Sequence, residues 1–438
     1  MHKNYSLIWF ILGLGSSLQV VFSLSLSELI VLVVTPFLVT SEVPYMRRTG
    51  MMPFFYLSIL VIVGCGIACV ANNTRSAFVL RGFAVCVIVA SSIVLSHWII
   101  RKAPNGFKWM LLGGAISLIL CTFVFRRSVE VTMYGNDIRS IMGGQLFWVQ
   151  RISPWVLLPT KGWYMHQLPI VNCCAPLVSA VIALMYSSGS GRSEALSAIA
   201  FSALAVIGGR RRSTMVRITK HFWSIVLVAT IAVLAMNVLY RISATQGWLG
   251  EKARVKYELQ TRGEKGIMRL LLGGRADAFI GLLACRDKPI VGWGPWAEDV
   301  RNYRQEFMSK YGTPEDYEDQ LRRDEGGYYD HRLNLISCHS HITEFWLWYG
   351  MFGLFFILYV IYVFIRFLRQ DVAVVPQWFA WLACAIPGTM WHIFFSPFSS
   401  RVGLSMMVVA CLMARAVRNG RFRLPPEMVE EIVKSERR

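Results

Sequence analysis

The chain alternates long apolar runs with short polar connections, and one polar segment in its C-terminal half is far longer than the rest. The apolar runs have the length and the low charge of helices that cross a bilayer. The runs outside one ambiguous stretch are Leu7–Leu24, Leu26–Thr40, Pro53–Ala71, Phe78–Ile100, Trp109–Phe125, Pro169–Tyr186, Ala195–Gly208, His221–Tyr240, Ile342–Ile365, Val374–Phe395 and Val402–Ala416. The pattern predicts an all-α, polytopic integral membrane protein.

The basic residues of the short connections set the predicted orientation. The connection that holds Arg210, Arg211, Arg212, Arg217 and Lys220 is the most basic in the chain, and such connections stay in the cytoplasm. Counting helices from it places residues 241–341 in one large outer loop. The basic tail at residues 417–438 then lies inside.

The amphipathic stretch Ile141–Leu158 decides the count for the N-terminal half. It mixes glutamines and an arginine with tryptophans and leucines, as either a surface helix or a polar-lined span would. If it spans, the basic pairs Arg47–Arg48 and Arg101–Lys102 both fall on the cytoplasmic side. We therefore predict about nine helices in residues 1–240 and three in residues 342–416, so about twelve in all, with both ends inside.

Composition agrees with the membrane class. Hydrophobic residues make up 55% of the 438 residues and charged residues only 16%, with a net charge of +19. That leaves too little polar surface for a soluble globule of this size. Because the positive charge lies in short connections and in the tail, it favours membrane topology over nucleic-acid binding.

The outer loop, residues 241–341, contains too many tryptophans and tyrosines for a disordered segment, so we expect it to fold back over the helices. Arg269–Ala284 has helical apolar spacing. Glu298–Glu325 alternates acids and bases, which favours a solvated helical face over a metal site, and no metal or cofactor is predicted. The loop's two cysteines, Cys285 and Cys338, could form a disulfide if the loop faces an oxidising compartment, but no spacing supports that pairing.

Several short motifs follow one another in a fixed order. Gly273-Gly274-Arg275 precedes Pro289-Ile290-Val291-Gly292-Trp293-Gly294-Pro295, and His339 stands eleven positions before Gly350. Earlier, Asn172 leads an apolar span that is followed by Ser190-Gly191-Arg192. In order and spacing, residues 172–354 resemble the bacterial O-antigen ligase and polymerase superfamily, although Gly191 is inserted and Ser340 stands where that family has asparagine.

The resemblance implies a metal-independent glycosyltransferase of the bacterial inner membrane, with its active site facing the periplasm. Its donor would be a glycan on undecaprenyl diphosphate, and its acceptor a sugar hydroxyl of a glycolipid or glycan. Arg275 and Arg192 would stabilise charge on the departing diphosphate. His339 would act as general base or orient the acceptor hydroxyl.

Further residues are implied to bind substrate, and each has a structural alternative. The implied substrate-binding residues are Asn172, Gly274, Gly292, Gly294 and His341. An arginine at a helix end, such as Arg192, is often a snorkelling residue. His339 is alternatively a structural histidine that caps the helix beginning near Ile342, and His341 competes with it for the base role.

Three alternative functions remain open at the level of the sequence. A polymerase of the same superfamily would differ only in its acceptor, a second carrier-linked repeat unit. A flippase or transporter would be expected to contain inverted repeats and broken helices at mid-membrane, which the sequence lacks. A non-catalytic assembly protein would use the loop as a binding surface, and Arg275 and His339 would then be dispensable.

Overall fold

The computed structural model of the chain describes residues 3–15, 19–21, 24–120, 241–248, 276–311, 340–371 and 401–424, with isolated positions in 221–239, 254–257, 335–338, 382–398 and 426–429. Helices α1–α5 are Lys3–Leu14, Leu26–Thr49, Met52–Ala71, Ser76–Lys102 and Phe107–Ile119. Helices α6 and α7, Ala276–Asp287 and Tyr303–Tyr311, belong to the long loop. Helices α8 and α9 are His341–Arg366 and Arg401–Arg418, and a π-helical turn, Phe367–Asp371, extends α8.

The first predicted span, Leu7–Leu24, is wrong as a single helix. Helix α1 ends at Leu14, and the antiparallel strands β1, Gln19–Val21, and β2, Leu24–Ser25, follow it. The Gly15 carbonyl accepts from the Ser27 amide at 3.1 Å, so the chain after Leu14 pairs with the start of α2 instead of continuing as a helix. Helix α1 also packs closely against α5, since a Cβ built on Gly13 would lie 1.8 Å from the Met110 carbonyl oxygen. Twelve helical residues extend about 18 Å, which is shorter than the hydrocarbon core of a bilayer.

Helix α2 is longer than predicted, since it continues past Thr40 to Thr49 with two prolines inside it. A capping box starts the helix: the Glu28 amide donates to the Ser25 hydroxyl, and the Ser25 amide donates to the Glu28 carboxylate. Gly50, at φ 78°, ends it in the left-handed conformation that favours glycine. Arg47 and Arg48 therefore lie in the last helical turn rather than in a connection.

Buried charge between α2 and α4 explains why α2 continues. Glu42 and His97 are both fully buried, and His97 Nδ1 lies 2.8 Å from Glu42 Oε2. Arg101 also donates to the Glu42 carboxylate, and its guanidinium lies 3.9 Å from the Tyr45 ring centroid. The second His97 nitrogen lies 3.0 Å from the Thr49 hydroxyl. The predicted helix ended at Thr40 because the residues that follow it are polar. In the folded chain this network pairs their charged groups, so the helix continues.

Where the structure describes the remaining predicted spans, it contains helices at nearly the same residues. Helices α3, α4 and α8 match the predictions to within a few residues, and α9 matches Val402–Ala416. Helix α5 begins near the predicted Trp109, and the rest of that span lies outside the described residues. The described residues do not include Ile141–Leu158, Pro169–Tyr186 or Ala195–Gly208, and they cover His221–Tyr240 and Val374–Phe395 only at isolated positions.

The long helices form a bundle whose two ends differ in charge. At one end, which we call the basic end, α2, α4, α8 and α9 terminate at Arg47, Arg48, Arg101, Lys102, Arg366, Arg369, Arg415 and Arg418. At the opposite end, which we call the loop end, the segment from α6 to α7 packs against the start of α8 and the end of α3. Arg401 pairs there with Glu28, at 3.0 Å, and ties α9 to α2.

Within the described part of the chain, four helices are long and apolar enough to cross a membrane: α2, α3, α4, and α8 with its π-helical turn. Exposed leucine, isoleucine, valine and phenylalanine side chains line the outside of these helices, as a lipid environment requires. The chain is therefore an all-α membrane protein.

Candidate functional site at the loop end

The segment Pro289–Gly294 is inserted into the backbone of α8. Gly350 interrupts that helix with φ 61° and ψ −148°. In an unbroken helix the Met351 amide would donate to the Leu347 carbonyl. Here the Met351 amide donates to the Ile290 carbonyl at 3.0 Å, and the Leu347 carbonyl accepts from the Trp293 amide at 2.6 Å. The loop thus supplies a new partner for each of the two α8 backbone groups whose helical hydrogen bond is broken.

Glycine is required on both sides of this contact. A Cβ on Gly350 would lie 2.0 Å from the Ile290 carbonyl oxygen, and one on Gly292 would lie 2.7 Å from the Gly350 nitrogen. Gly292 and Gly294 also have φ of 77° and 88°, which L-residues rarely adopt. The structure therefore gives Gly292 and Gly294 a role in close backbone packing, and their predicted contact with substrate stays a prediction.

Side chains fasten this segment to three elements. Trp346 Nε1 of α8 donates to the Pro289 carbonyl, and Trp293 Nε1 donates to the Ala284 carbonyl of α6, both at 2.8 Å. Asn72, at the end of α3, donates to the Gly292 carbonyl at 3.1 Å and accepts from the Lys288 ammonium. The loop is consequently a fixed part of the bundle.

An acidic group beside this segment organises the passage from α6 to α7. The Asp287 carboxylate accepts from the Tyr303 hydroxyl at 2.7 Å and from Arg301 at 2.8 Å. These contacts, the Tyr303 hydrogen bond first, hold the pKa of Asp287 below its usual value. Burial, with a smaller contribution from Arg301, lowers the pKa of Lys288, whose ammonium lies 3.9 Å from the Trp293 ring centroid.

A cluster of aromatic rings continues the site towards α4. Trp296 lies 4.4 Å from Trp348 and 6.3 Å from Phe78, measured between ring centroids. The Arg81 guanidinium is 5.9 Å from the Trp296 ring centroid. Trp296 has φ 51°, a conformation that costs about 1 kcal/mol or more for a bulky residue and is concentrated at functional sites.

The start of α8 holds His341 in one orientation. Ser340 is the N-cap of the helix, and its hydroxyl donates to the Ile393 carbonyl at 3.1 Å. His341 Nδ1 lies 2.7 Å from the His392 carbonyl oxygen. Since a carbonyl only accepts, Nδ1 bears the proton, and Nε2 is the unprotonated nitrogen of the neutral ring. His341 packs edge-on against Phe398 and is 6% exposed.

Buried Glu344 joins the same region to the start of α9. Its carboxylate accepts from the Phe398 amide at 2.7 Å. Arg401, three residues after Phe398, pairs with Glu28. Glu344 thus holds the segment just before α9 to α8, and Arg401 holds the start of α9 to α2.

The predicted site residues divide into two groups. Gly292, Gly294 and His341 belong to the packed region just described. Arg192, Asn172, Gly274, Arg275 and His339 lie outside the described residues. The structural alternative for His339 as the helix cap is wrong, because Ser340 is the cap and α8 begins at His341.

Sequence reasoning missed Asn72, Tyr303 and the pair Glu42–His97. Asn72 stands in a short turn and Tyr303 among many loop aromatics, so no local pattern distinguished them. An ionisable residue inside an apolar run, as His97 is, is itself a signal of a buried partner. Among the described residues, no cluster of three or more His, Cys, Asp or Glu side chains is placed to hold a metal ion.

Comparison of the chain with protein-family models, with curated proteins and with solved structures found no match.

Proposed function

We propose that this chain is a membrane glycosyltransferase of the O-antigen ligase type. It transfers a glycan from undecaprenyl diphosphate to an acceptor sugar hydroxyl of a glycolipid or glycan. The observation that supports this most is the interlock of Gly292 with Gly350. It joins two of the motifs on which the resemblance rests, although these glycines are 58 positions apart in the sequence.

The arrangement of charge supports an outward-facing site. The basic end of the bundle is the side that the positive-inside rule keeps in the cytoplasm, so the loop end faces the periplasm of a bacterial inner membrane. Lipid-carried glycans present their diphosphate at that surface. Exposed apolar side chains of α3 and α4 adjoin the loop there, including Val70 and Leu80.

In the proposed reaction, the acceptor hydroxyl oxygen attacks the anomeric carbon of the donor, and the bond from that carbon to the diphosphate oxygen breaks. His339 takes the hydroxyl proton. Arg275 and Arg192 stabilise the negative charge that remains on the diphosphate. The rigid attachment of the loop to α8 would keep the reacting groups at the distances and orientations that the reaction needs.

The test combines a deletion with point variants expressed in a bacterium that makes a carrier-linked glycan. Deletion of the gene is expected to leave full-length glycan on the carrier, and Arg275→Ala or His339→Ala to reproduce that profile at normal membrane abundance. Arg286→Ala, an exposed arginine of α6, is the matched control and keeps transfer.

Other outcomes would identify the alternatives. Accumulation of single repeat units in the deletion strain would show a polymerase, and loss of carrier-linked glycan from the outer leaflet would show a flippase. Normal glycans in both variants would contradict catalysis and favour an assembly role.

A further inference from the structure

The two cysteines of the long loop meet the same part of α8. Cys285 lies on α6, and its thiol donates to the Thr343 carbonyl at 3.7 Å. Cys338 lies two residues before the cap of α8. A Cβ built on Gly281 would be 2.9 Å from the Cys338 sulfur and 3.3 Å from Thr343 Cβ. Thr343 is therefore a neighbour of both cysteines.

The helical register of α6 places the two thiols one turn apart. Gly281 and Cys285 are four residues apart, so they share one face of the helix, with Cα atoms about 6 Å apart along it. The Cys338 sulfur occupies the space that the missing side chain of Gly281 leaves. A disulfide requires Cα atoms within about 7 Å, so the bond closes a gap of about one helical turn while the loop folds.

The environment also suits a bond between them. Cys285 is fully buried and Cys338 is partly exposed, and both are thiols in the structure. No other cysteine lies in residues 241–341. If the loop end faces the periplasm, as the proposed function requires, both thiols are on the oxidising side of the membrane.

We propose that Cys285 and Cys338 form a disulfide in the periplasm, and that this bond fixes α6 to the chain that leads into α8. The oxidant is the disulfide of a periplasmic thiol oxidoreductase. The Cys338 thiolate attacks one of its sulfurs, which forms a mixed disulfide and releases one thiolate. The Cys285 thiolate then attacks the Cys338 sulfur, so the oxidoreductase leaves as a dithiol and each cysteine has lost its proton.

The timing of the bond follows from burial. Burial raises the pKa of both thiols, and the nearby Cys285 raises the pKa of Cys338 further. Few thiolates are therefore available once the loop has packed. The bond forms while the loop is folding, before α6 covers Cys285.

This bond would position the two residues that the proposed reaction needs most. This positioning role rests on the proposed function. Arg275 directly precedes α6, and His339 directly follows Cys338. A covalent tie between Cys285 and Cys338 would hold the segments that contain Arg275 and His339 at a fixed separation. A displacement of about 1 Å in such an arrangement costs up to about a hundredfold in rate.

The bond is tested on the full chain purified from membranes without reductant. Free thiols are blocked with N-ethylmaleimide under denaturing conditions, and the digest is analysed by mass spectrometry. We expect a linked pair of peptides that contains Cys285 and Cys338 and disappears after reduction. Cys411→Ser, in α9, is the matched control and keeps the linked pair, whereas Cys285→Ser removes it and exposes the Cys338 thiol.

Alkylation of both cysteines in the unmodified chain would overturn the inference. The glycan profile of Cys285→Ser gives the second measurement, with transfer expected to fall by about tenfold to a hundredfold. Normal transfer at normal abundance would contradict the positioning role. A linked pair together with normal glycans in Arg275→Ala and His339→Ala would leave the bond established and reject the proposed function.

Discussion

Gly292 and Gly350 are in direct backbone contact, and neither position has room for a side chain. One glycine belongs to the loop and the other to a membrane helix. The contact explains why the loop motif contains a glycine at that position and why the helix motif ends in one. It also makes the loop and α8 a single packed unit.

Replacing Gly350 by alanine should destabilise the protein strongly. The new Cβ would lie 2.0 Å from the Ile290 carbonyl oxygen, and the backbone angles at Gly350 suit only glycine. We expect a loss of at least about 3 kcal/mol in unfolding free energy, measured by thermal unfolding of the detergent-solubilised chain. Gly66→Ala is the control, because its Cβ would meet only Phe83, at 3.5 Å. Equal behaviour of the two variants would contradict the insertion of the loop into α8.

Replacing Glu42 by glutamine should show how much the buried network between α2 and α4 contributes to the unfolding free energy. The substitution leaves Arg101 near His97 without a balancing carboxylate. Removing one partner of a buried pair costs about 3–5 kcal/mol. Glu298→Gln is the control, because its partner Arg75 is 71% exposed and exposed pairs contribute about 0–1 kcal/mol. Similar losses in the two variants would show that the Glu42 network does not stabilise the bundle.

The Asp287 carboxylate should make loop stability depend on pH. Its folded pKa is lowered, so its contribution is present above the unfolded pKa of about 3.9 and is lost as pH falls through the folded value. Tyr303→Phe removes the hydrogen bond that is the main cause of the lowered pKa. At pH 7 the substitution should reduce the unfolding free energy by about 1.5–3 kcal/mol.

The difference between Tyr303→Phe and the unmodified chain should shrink as the pH falls below the unfolded pKa of about 3.9, because protonation of Asp287 then increasingly favours the unfolded chain in which its pKa is not lowered. Thermal unfolding in detergent at pH 7 and at about pH 3 measures it. A difference that stays constant with pH would mean that the tyrosine acts through packing alone.

His341 and His339 should respond differently to alanine substitution. His341→Ala removes the hydrogen bond to the His392 carbonyl and the edge-on packing against Phe398, and should lower stability by about 1–3 kcal/mol. His339→Ala should leave stability unchanged and reduce transfer by about a hundredfold or more, the usual contribution of a general base. Glycan profiles and thermal unfolding of both variants separate the roles. Normal stability and lost transfer in His341→Ala would reassign the base.

Hydropathy predicted the long helices well, because an apolar run of bilayer length has few alternatives to a helix. It failed for the first two predicted spans, of which the first was predicted too long and the second too short. In Leu7–Leu24 the helix stops at Leu14, because the Gly15 carbonyl accepts from the Ser27 amide at the start of α2. The predicted span Leu26–Thr40 ended too early, just before Glu42. The helix includes this buried glutamate because His97 and Arg101 lie beside it and pair with it.

The candidate site was predictable only as a set of motifs. The sequence placed Pro289–Gly294 and Gly350 in the same site by their order. It did not show that one is inserted into the hydrogen bonding of the other, because that contact depends on a backbone geometry that no spacing rule encodes. The position of Asn72 is a second example, since a polar residue in a short turn is ordinary until its partner 220 residues away is known.

The insertion at Gly350 also constrains how the protein is assembled. Until residues 289–294 are in place, the Met351 amide and the Leu347 carbonyl of α8 lack the partners that they have in the folded chain. Unpaired backbone groups are costly in a lipid environment. The loop precedes α8 in synthesis, so it is already available when that helix enters the bilayer. A segment of the long loop thus completes the backbone hydrogen bonding of a helix that is long and apolar enough to cross a membrane.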